Sequence, residues 1–235
     1  MKLPVMVGGR SITSWYSTVR LILSDDTDEG SFFAVNASSP SDITKFFLDN
    51  YPHLSPSKAE AINTHYPLTS PLPLHAAFFP SASAAYGEST FTCPGNFISS
   101  CVSSHLSHSK VYNYRYNVQD DVLISLGLGV PHTFESSAIF GVGNAGDDVR
   151  SSYTTCNRDV VPVVMNYWIS FVRALDPNIF RYVEAPRWED WGVGKGDEAG
   201  RRLIIETRRT GMEVVAEEQV RRCAFWRSLG EEMRH

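Results

Sequence analysis

Two segments of this chain carry residue types that could do chemistry together. One is Asp25-Asp26-Thr27-Asp28-Glu29-Gly30, a run of carboxylates closed by a glycine. The other is Gly127-Leu128-Gly129-Val130-Pro131-His132-Thr133-Phe134-Glu135, a histidine on a Gly/Pro loop. An acid on the loop after one parallel strand and a histidine on the loop after the next form the acid–histidine half of a hydrolase triad. The carboxylate would hold one imidazole nitrogen in its N–H form. The other nitrogen could then take a proton from a hydroxyl. Spacing alone leaves two plainer readings open, a helix-capping glutamate and a loop histidine.

A nucleophile is harder to find. Gly87-Glu88-Ser89-Thr90-Phe91 resembles G-x-S-x-G until its fifth position, where the sharp strand-to-helix turn requires glycine. Ser89 therefore reads as a turn serine. His105 and His108 lie three apart but have no third ligand beside them, so they read as surface histidines, not a metal site. Arg201-Arg202 and Arg208-Arg209 read as arginines flanking an exposed strand. The four cysteines show no C-x-x-C spacing and so suggest neither a zinc module nor a disulfide-dense scaffold.

The elements that must position these groups belong to an ordinary globular chain. It has 235 residues, 43% hydrophobic and 20% charged, with a net charge of -5. No basic stripe suits nucleic acid. The apolar run from Val160 to Val172 is too short to span a bilayer and carries Pro162 and Asn166. The first residues do not read as an export signal, because Pro4 and Gly8-Gly9-Arg10 interrupt the apolar run. Leu3–Val7 reads as a short strand, and Arg10–Ser24 follows no period. Helices are expected at Ser41–Asn50, from Pro56, in the second part of Tyr86–Leu106, at Asp159–Leu175 and at Ala216–Leu229. Strands are expected at Lys110–Val118 and Arg202–Glu206. Leu68–Pro80 reads as a loop. The alternation of strand and helix indicates an α/β protein.

With these segments in order, the chain resembles the C-terminal portion of the type B carboxylesterase/lipase family, the cholinesterase-like α/β-hydrolases, in a form similar to the fungal members. The resemblance rests on Leu3–Val7, Thr27–Phe33, Tyr86-Gly87-Glu88 with Phe91–Pro94, Val111–Val118, Gly127–Gly141, Val161–Asn178, Trp188–Trp191, and Met212-Glu213 through Arg222–Trp226. It implies a partial, mostly parallel sheet with flanking helices, and no cofactor. It implies Glu29 as the triad acid, His132 as the base, and Glu135 at the place of a structural carboxylate. It implies a Cys93–Cys223 disulfide, worth about 4–5 kcal/mol in the chain-entropy model. Cys101 and Cys156 have no counterpart and are expected to be free, buried thiols. The substrate class implied is a small-molecule or lipid ester. Secretion is implied too, in which case the Asn36-Ala37-Ser38 sequon would be a glycosylation candidate.

The departures from the family carry expectations of their own. The glycine oxyanion loop and the nucleophile elbow belong to an N-terminal half that is expected to be missing from residues 1–235. Residues 10–25 are expected to be an insertion between the strand and the acid loop. A chain with Glu29 and His132 but no serine is expected to be inactive alone. The alternative is a non-catalytic binding or interaction protein on the same scaffold.

Overall fold

A computed structural model describes residues 20–105, 110–145, 152–192 and 200–233. Its centre is a four-stranded sheet in the order β1 (Arg20–Asp26), β2 (Lys110–Tyr116), β3 (Arg201–Ile205), β4 (Gly211–Val214). β1 runs parallel to β2 and β2 parallel to β3, while β3 and β4 form an antiparallel hairpin. Parallel neighbours require long crossovers, and helices supply them. α1 (Pro40–Asn50), α2 (Pro56–His65), α3 (Phe79–Gly87) and α4 (Cys93–His105) lie between β1 and β2. α5 (Asp121–Ser125), α6 (Ser136–Phe140) and α7 (Val160–Ala174) lie between β2 and β3, and α8 (Glu217–Met233) closes the chain.

Strand alternation sorts the side chains onto two faces. On β2, Tyr112, Tyr114 and Tyr116 pack with Leu203 and Ile205 against Val160, Val164 and Tyr167 of α7. Trp188 sits edge-on to Tyr112, Tyr114 and Tyr167. Its indole N–H donates to the carbonyl of Asn113, 3.0 Å away. Val111 faces the other way, with Trp191, Val215 and the half-buried Leu21 and Leu23 of β1. A separate core joins α1, α2 and α3 to α8 through Ile43, Phe47, Ile62, Ala82, Trp226 and Leu229.

Several sequence expectations are corrected. The strand entering the acid loop is Arg20–Asp26 instead of Leu3–Val7, and it overlaps the end of the stretch expected to be an insertion. The apolar run at Leu21–Leu23 was masked by the Ser/Thr-rich residues before it. Leu3–Val7 and residues 10–19 lie outside the described residues. The first helix begins at Pro40, not Ser41. Ser39 is its N-cap, in a capping box with Asp42, and Pro40 takes the first helical position. Only the second part of Tyr86–Leu106 was expected to be helical, but α3 runs into α4 through a π-turn at Glu88–Thr92. Pro94 has no N–H to bond a carbonyl one α-turn back, and the π-turn, in which the Cys93 N–H donates to the Glu88 carbonyl, widens the helix just before it. Unforeseen were α3, whose first residues fall in the stretch read as a loop, β4, α6 and α5; α5 is capped by the Asp120 carboxylate, which accepts from the N–H groups of Val122 and Leu123.

Candidate active site

The acid and histidine segments meet at one end of the sheet. β1 ends at Asp26, a turn follows, and Glu29 opens a 3-10 turn that runs to Phe32. The histidine loop is fastened to this turn at Asp28. Its N–H donates to the Val130 carbonyl at 2.9 Å, and its carboxylate accepts from the Val130 N–H at 2.8 Å. Gly129, at φ +63°, lets the loop pass over that carboxylate; a Cβ there would stand 2.0 Å from Asp28 Oδ2. Burial pushes the Asp28 carboxyl above its ordinary range, while the Val130 hydrogen bond opposes the shift. The sequence reading did not single out this clamp, although an Asp beside the acid and a Gly-x-Gly before the histidine were its signal.

Glu29 Oε2 lies 2.5 Å from His132 Nδ1. Glu29 Oε1 accepts the backbone N–H of Asp26 at 2.8 Å. Both carboxylate oxygens are thus engaged, and the group is buried. Burial raises the Glu29 carboxyl above its usual value, against the lowering effects of the Asp26 N–H and of His132. The imidazole is more open, with 34% of its side chain exposed against 7% for Glu29. Among the described residues, Nε2 of His132 has no hydrogen-bond partner. Phe91 and Phe33 border the ring, at centroid distances of 4.7 and 5.4 Å. The arrangement is a carboxylate-oriented imidazole with one nitrogen available and apolar walls beside it. It can accept a proton from a hydroxyl and return it.

The other candidates fall elsewhere. Glu135 is at the N-cap of α6 but makes no side-chain cap bond. It faces Asp26. Ser89 is buried in the π-turn and donates its hydroxyl to the Tyr86 carbonyl at 3.0 Å. His105 is exposed, its Nδ1 2.9 Å from the Cys101 carbonyl, and His108 lies outside the described residues. Arg201, Arg208 and Arg209 are exposed as expected, but β3 is interior to the sheet and Arg202 is not a surface residue. Arg202 is buried, 2.7 Å from Glu213 and 3.5 Å from Asp25. Cys93 and Cys223 form a disulfide with Cα atoms 5.0 Å apart. Cys101 and Cys156 are free, but Cys156 is exposed and Cys101 only half-buried, because both lie on element surfaces instead of a core-facing stripe. Asn36 is exposed, with its side-chain oxygen accepting from the Ala76 N–H. A cavity walled by Glu29, Asp25, Arg115, Arg202, Glu213 and Arg222 adjoins the acid but does not include His132.

Comparison with known proteins gives a consistent picture. A family profile described as "Carboxylesterase family" matches residues 3–226. Acetylcholinesterase from Gallus gallus is 34% identical over 80 residues, which is 34% of this chain and 10% of that protein. The crystal structure of Aspergillus niger EstA superposes with a TM-score of 0.85 at 49% identity, covering 91% of this chain and 40% of EstA. The chain thus spans well under two thirds of the length of these relatives.

Proposed function

This chain belongs to the carboxylesterase family, and on that premise we propose that Glu29 and His132 are the acid and base of a serine-dependent carboxylic ester hydrolase. The observation that carries the proposal is the 2.5 Å contact between Glu29 Oε2 and His132 Nδ1, made by two segments about a hundred residues apart. The buried carboxylate fixes the imidazole as the tautomer protonated on Nδ1. Nε2 then accepts the proton of the serine hydroxyl as its oxygen attacks the ester carbonyl. The resulting imidazolium is stabilised by Glu29 and returns the proton to the departing alcohol. Water repeats the sequence on the acyl-enzyme, and His132 acts again as base and then acid.

The serine and the oxyanion donors come from outside these 235 residues in this proposal. Support comes from the lack of a G-x-S-x-G pattern here, from the buried and bonded state of Ser89, and from the 40% coverage of EstA. The substrate is an ester, small or lipid, and the Phe33 and Phe91 rings beside the imidazole support an apolar part to it. Folding takes place in an oxidising, secretory compartment. The Cys93–Cys223 bridge and the exposed Asn36 sequon support that placement.

The test uses a short-chain nitrophenyl ester and a serine-directed fluorophosphonate. The 235-residue chain alone should show neither turnover nor labelling. Combined with a nucleophile-bearing polypeptide equivalent to the remainder of EstA, it should regain both. In the combined protein, Glu29→Gln should lower kcat by about 1,000- to 10,000-fold, because the imidazole loses its orienting carboxylate. Labelling of a serine in the chain alone would overturn the division of labour. Full activity in His132→Ala would overturn the catalytic assignment.

A further inference from the structure

Beneath the Glu29–His132 contact lies a second pair of carboxyl groups that the proposed reaction does not use. Asp26 is only 1% exposed, and both its carboxylate oxygens are buried without a hydrogen-bond partner among the described residues. Oε2 of Glu135 is in the same condition. The two groups face each other at hydrogen-bonding range. Two ionised carboxylates cannot bond to each other, and leaving both charges buried together would be costly. One proton converts the contact into a strong O–H···O⁻ bond and satisfies both groups.

We infer that Asp26 and Glu135 hold one proton between them and so tie the strand carrying the acid to the loop carrying the histidine, positioning Glu29 and His132. This inference rests on the catalytic reading of that pair. The connections are short. The Asp26 backbone N–H is the group that holds Glu29 Oε1, and Glu135 lies three residues after His132 on the same loop. The proton belongs to the pair, and the carboxyl that holds it donates to the other. Burial, the Glu135 charge and the Glu29 charge all favour the protonated form of Asp26, which is raised well above an ordinary carboxyl.

The other groups around the pair are Asp25 on β1, Tyr114 and Tyr116 on β2, and Tyr153 after α6. The Tyr116 and Tyr153 hydroxyls bond to each other at 2.9 Å, and the Tyr153 hydroxyl also reaches the Phe134 carbonyl. Arg202 approaches Asp25 and so provides no counter-charge to the pair itself. Asp25 points with Thr92 and Arg202 to the opposite face of β1. Loss of the shared proton at high pH would leave two like charges between strand and loop and push the two apart.

The experiment is a carboxyl ¹³C NMR titration of the 235-residue chain, with the Asp26 resonance assigned by its loss in Asp26→Asn. Asp26 should remain protonated above the ordinary range of exposed aspartates. In Glu135→Gln, where a neutral amide replaces the like charge, its midpoint should fall by about one pH unit or more. The imidazole resonances of His132 should show an inflection that coincides with the Asp26 midpoint in wild type and disappears in Asp26→Asn. Titration of Asp26 alongside the exposed aspartates, or a midpoint unmoved by Glu135→Gln, would overturn the shared proton. A titrating pair with no echo at His132 would overturn the positioning role. None of these readings uses ester turnover, so failure of the hydrolase proposal would leave them intact and separately visible.

Discussion

At Gly30 the chain has no room for a side chain. A Cβ there would stand 2.0 Å from the Ser83 carbonyl oxygen and 2.8 Å from the Gly87 nitrogen. Both are backbone atoms of α3, so they cannot rotate away. The close approach seats the acid turn on α3 and presents Glu29, one residue earlier, toward His132. Gly30→Ala should therefore destabilise the fold by about 1–3 kcal/mol or more and displace Glu29. Thermal melting and the His132 imidazole spectrum check the two effects. Gly230 is the contrast. It lies inside α8 with open space where a Cβ would go. Gly230→Ala should stabilise by about 0.5–1 kcal/mol, because only the backbone entropy of glycine in a helix is removed.

Between elements, the tie of α8 to the start of α4 is both covalent and polar. The Cys93–Cys223 bridge joins residues 130 apart in sequence. Beside it, Glu88 of the π-turn accepts from Arg222, Gln219 and the Tyr66 hydroxyl, and Trp226 donates to the same hydroxyl. This network holds the π-turn against α8, and Phe91 of that turn borders His132. Cys223→Ser should cost about 5 kcal/mol of stability in the chain-entropy model of a loop this long. Urea denaturation of the variant checks it, and a loss below about 1 kcal/mol would show that the loop is already restrained by other means. Glu88→Gln removes the bidentate carboxylate and leaves Arg222 only its ion pair with the exposed Glu218, 3.2 Å away, and should cost about 1–3 kcal/mol. Its effect should add incompletely to that of Cys223→Ser, since both act on the same contact.

For the whole molecule, the buried carboxyls at the end of β1 set how stability depends on pH. Burial raises Asp25 from 3.8 to about 6, with Arg202 and Thr92 opposing the shift. A raised carboxyl binds its proton more tightly in the folded state. Its contribution is therefore fully present below pH 3.8 and is lost as pH rises to about 6. Asp28 and Glu29 act in the same direction. Glu213 acts oppositely: its arginine partners lower its pKa despite burial, so its contribution is lost in acid. Urea midpoints should accordingly fall as pH rises from about 4 to about 6, and Asp25→Asn should flatten that slope. An unchanged slope in the variant would show that Asp25 is not the group responsible.

Local pattern was enough to find much of this protein. α7 was legible from an apolar stripe at helical spacing, with Asp176-Pro177 beyond its end. α2 was legible from Ser55-Pro56, and β2 from alternating aromatic and polar residues. The acid segment was recognisable as a run of carboxylates closed by Gly30, and the histidine segment as a Gly/Pro loop around His132. The family resemblance anticipated the Glu29–His132 and Cys93–Cys223 pairs, but the other contacts between distant residues were left to the tertiary fold. Arg202 reads as a surface arginine until Glu213 and Asp25 neutralise it inside the sheet. β1 gained its identity from the β2 edge rather than from its own period. The Asp26–Glu135 pair is more than a hundred residues apart in sequence, and no local pattern distinguishes a buried carboxyl from an exposed one. Sequence periodicity reports which face of an element is apolar. Charge pairing, desolvation and close backbone approach are decided only when the elements meet, because each is a property of two surfaces and not of one.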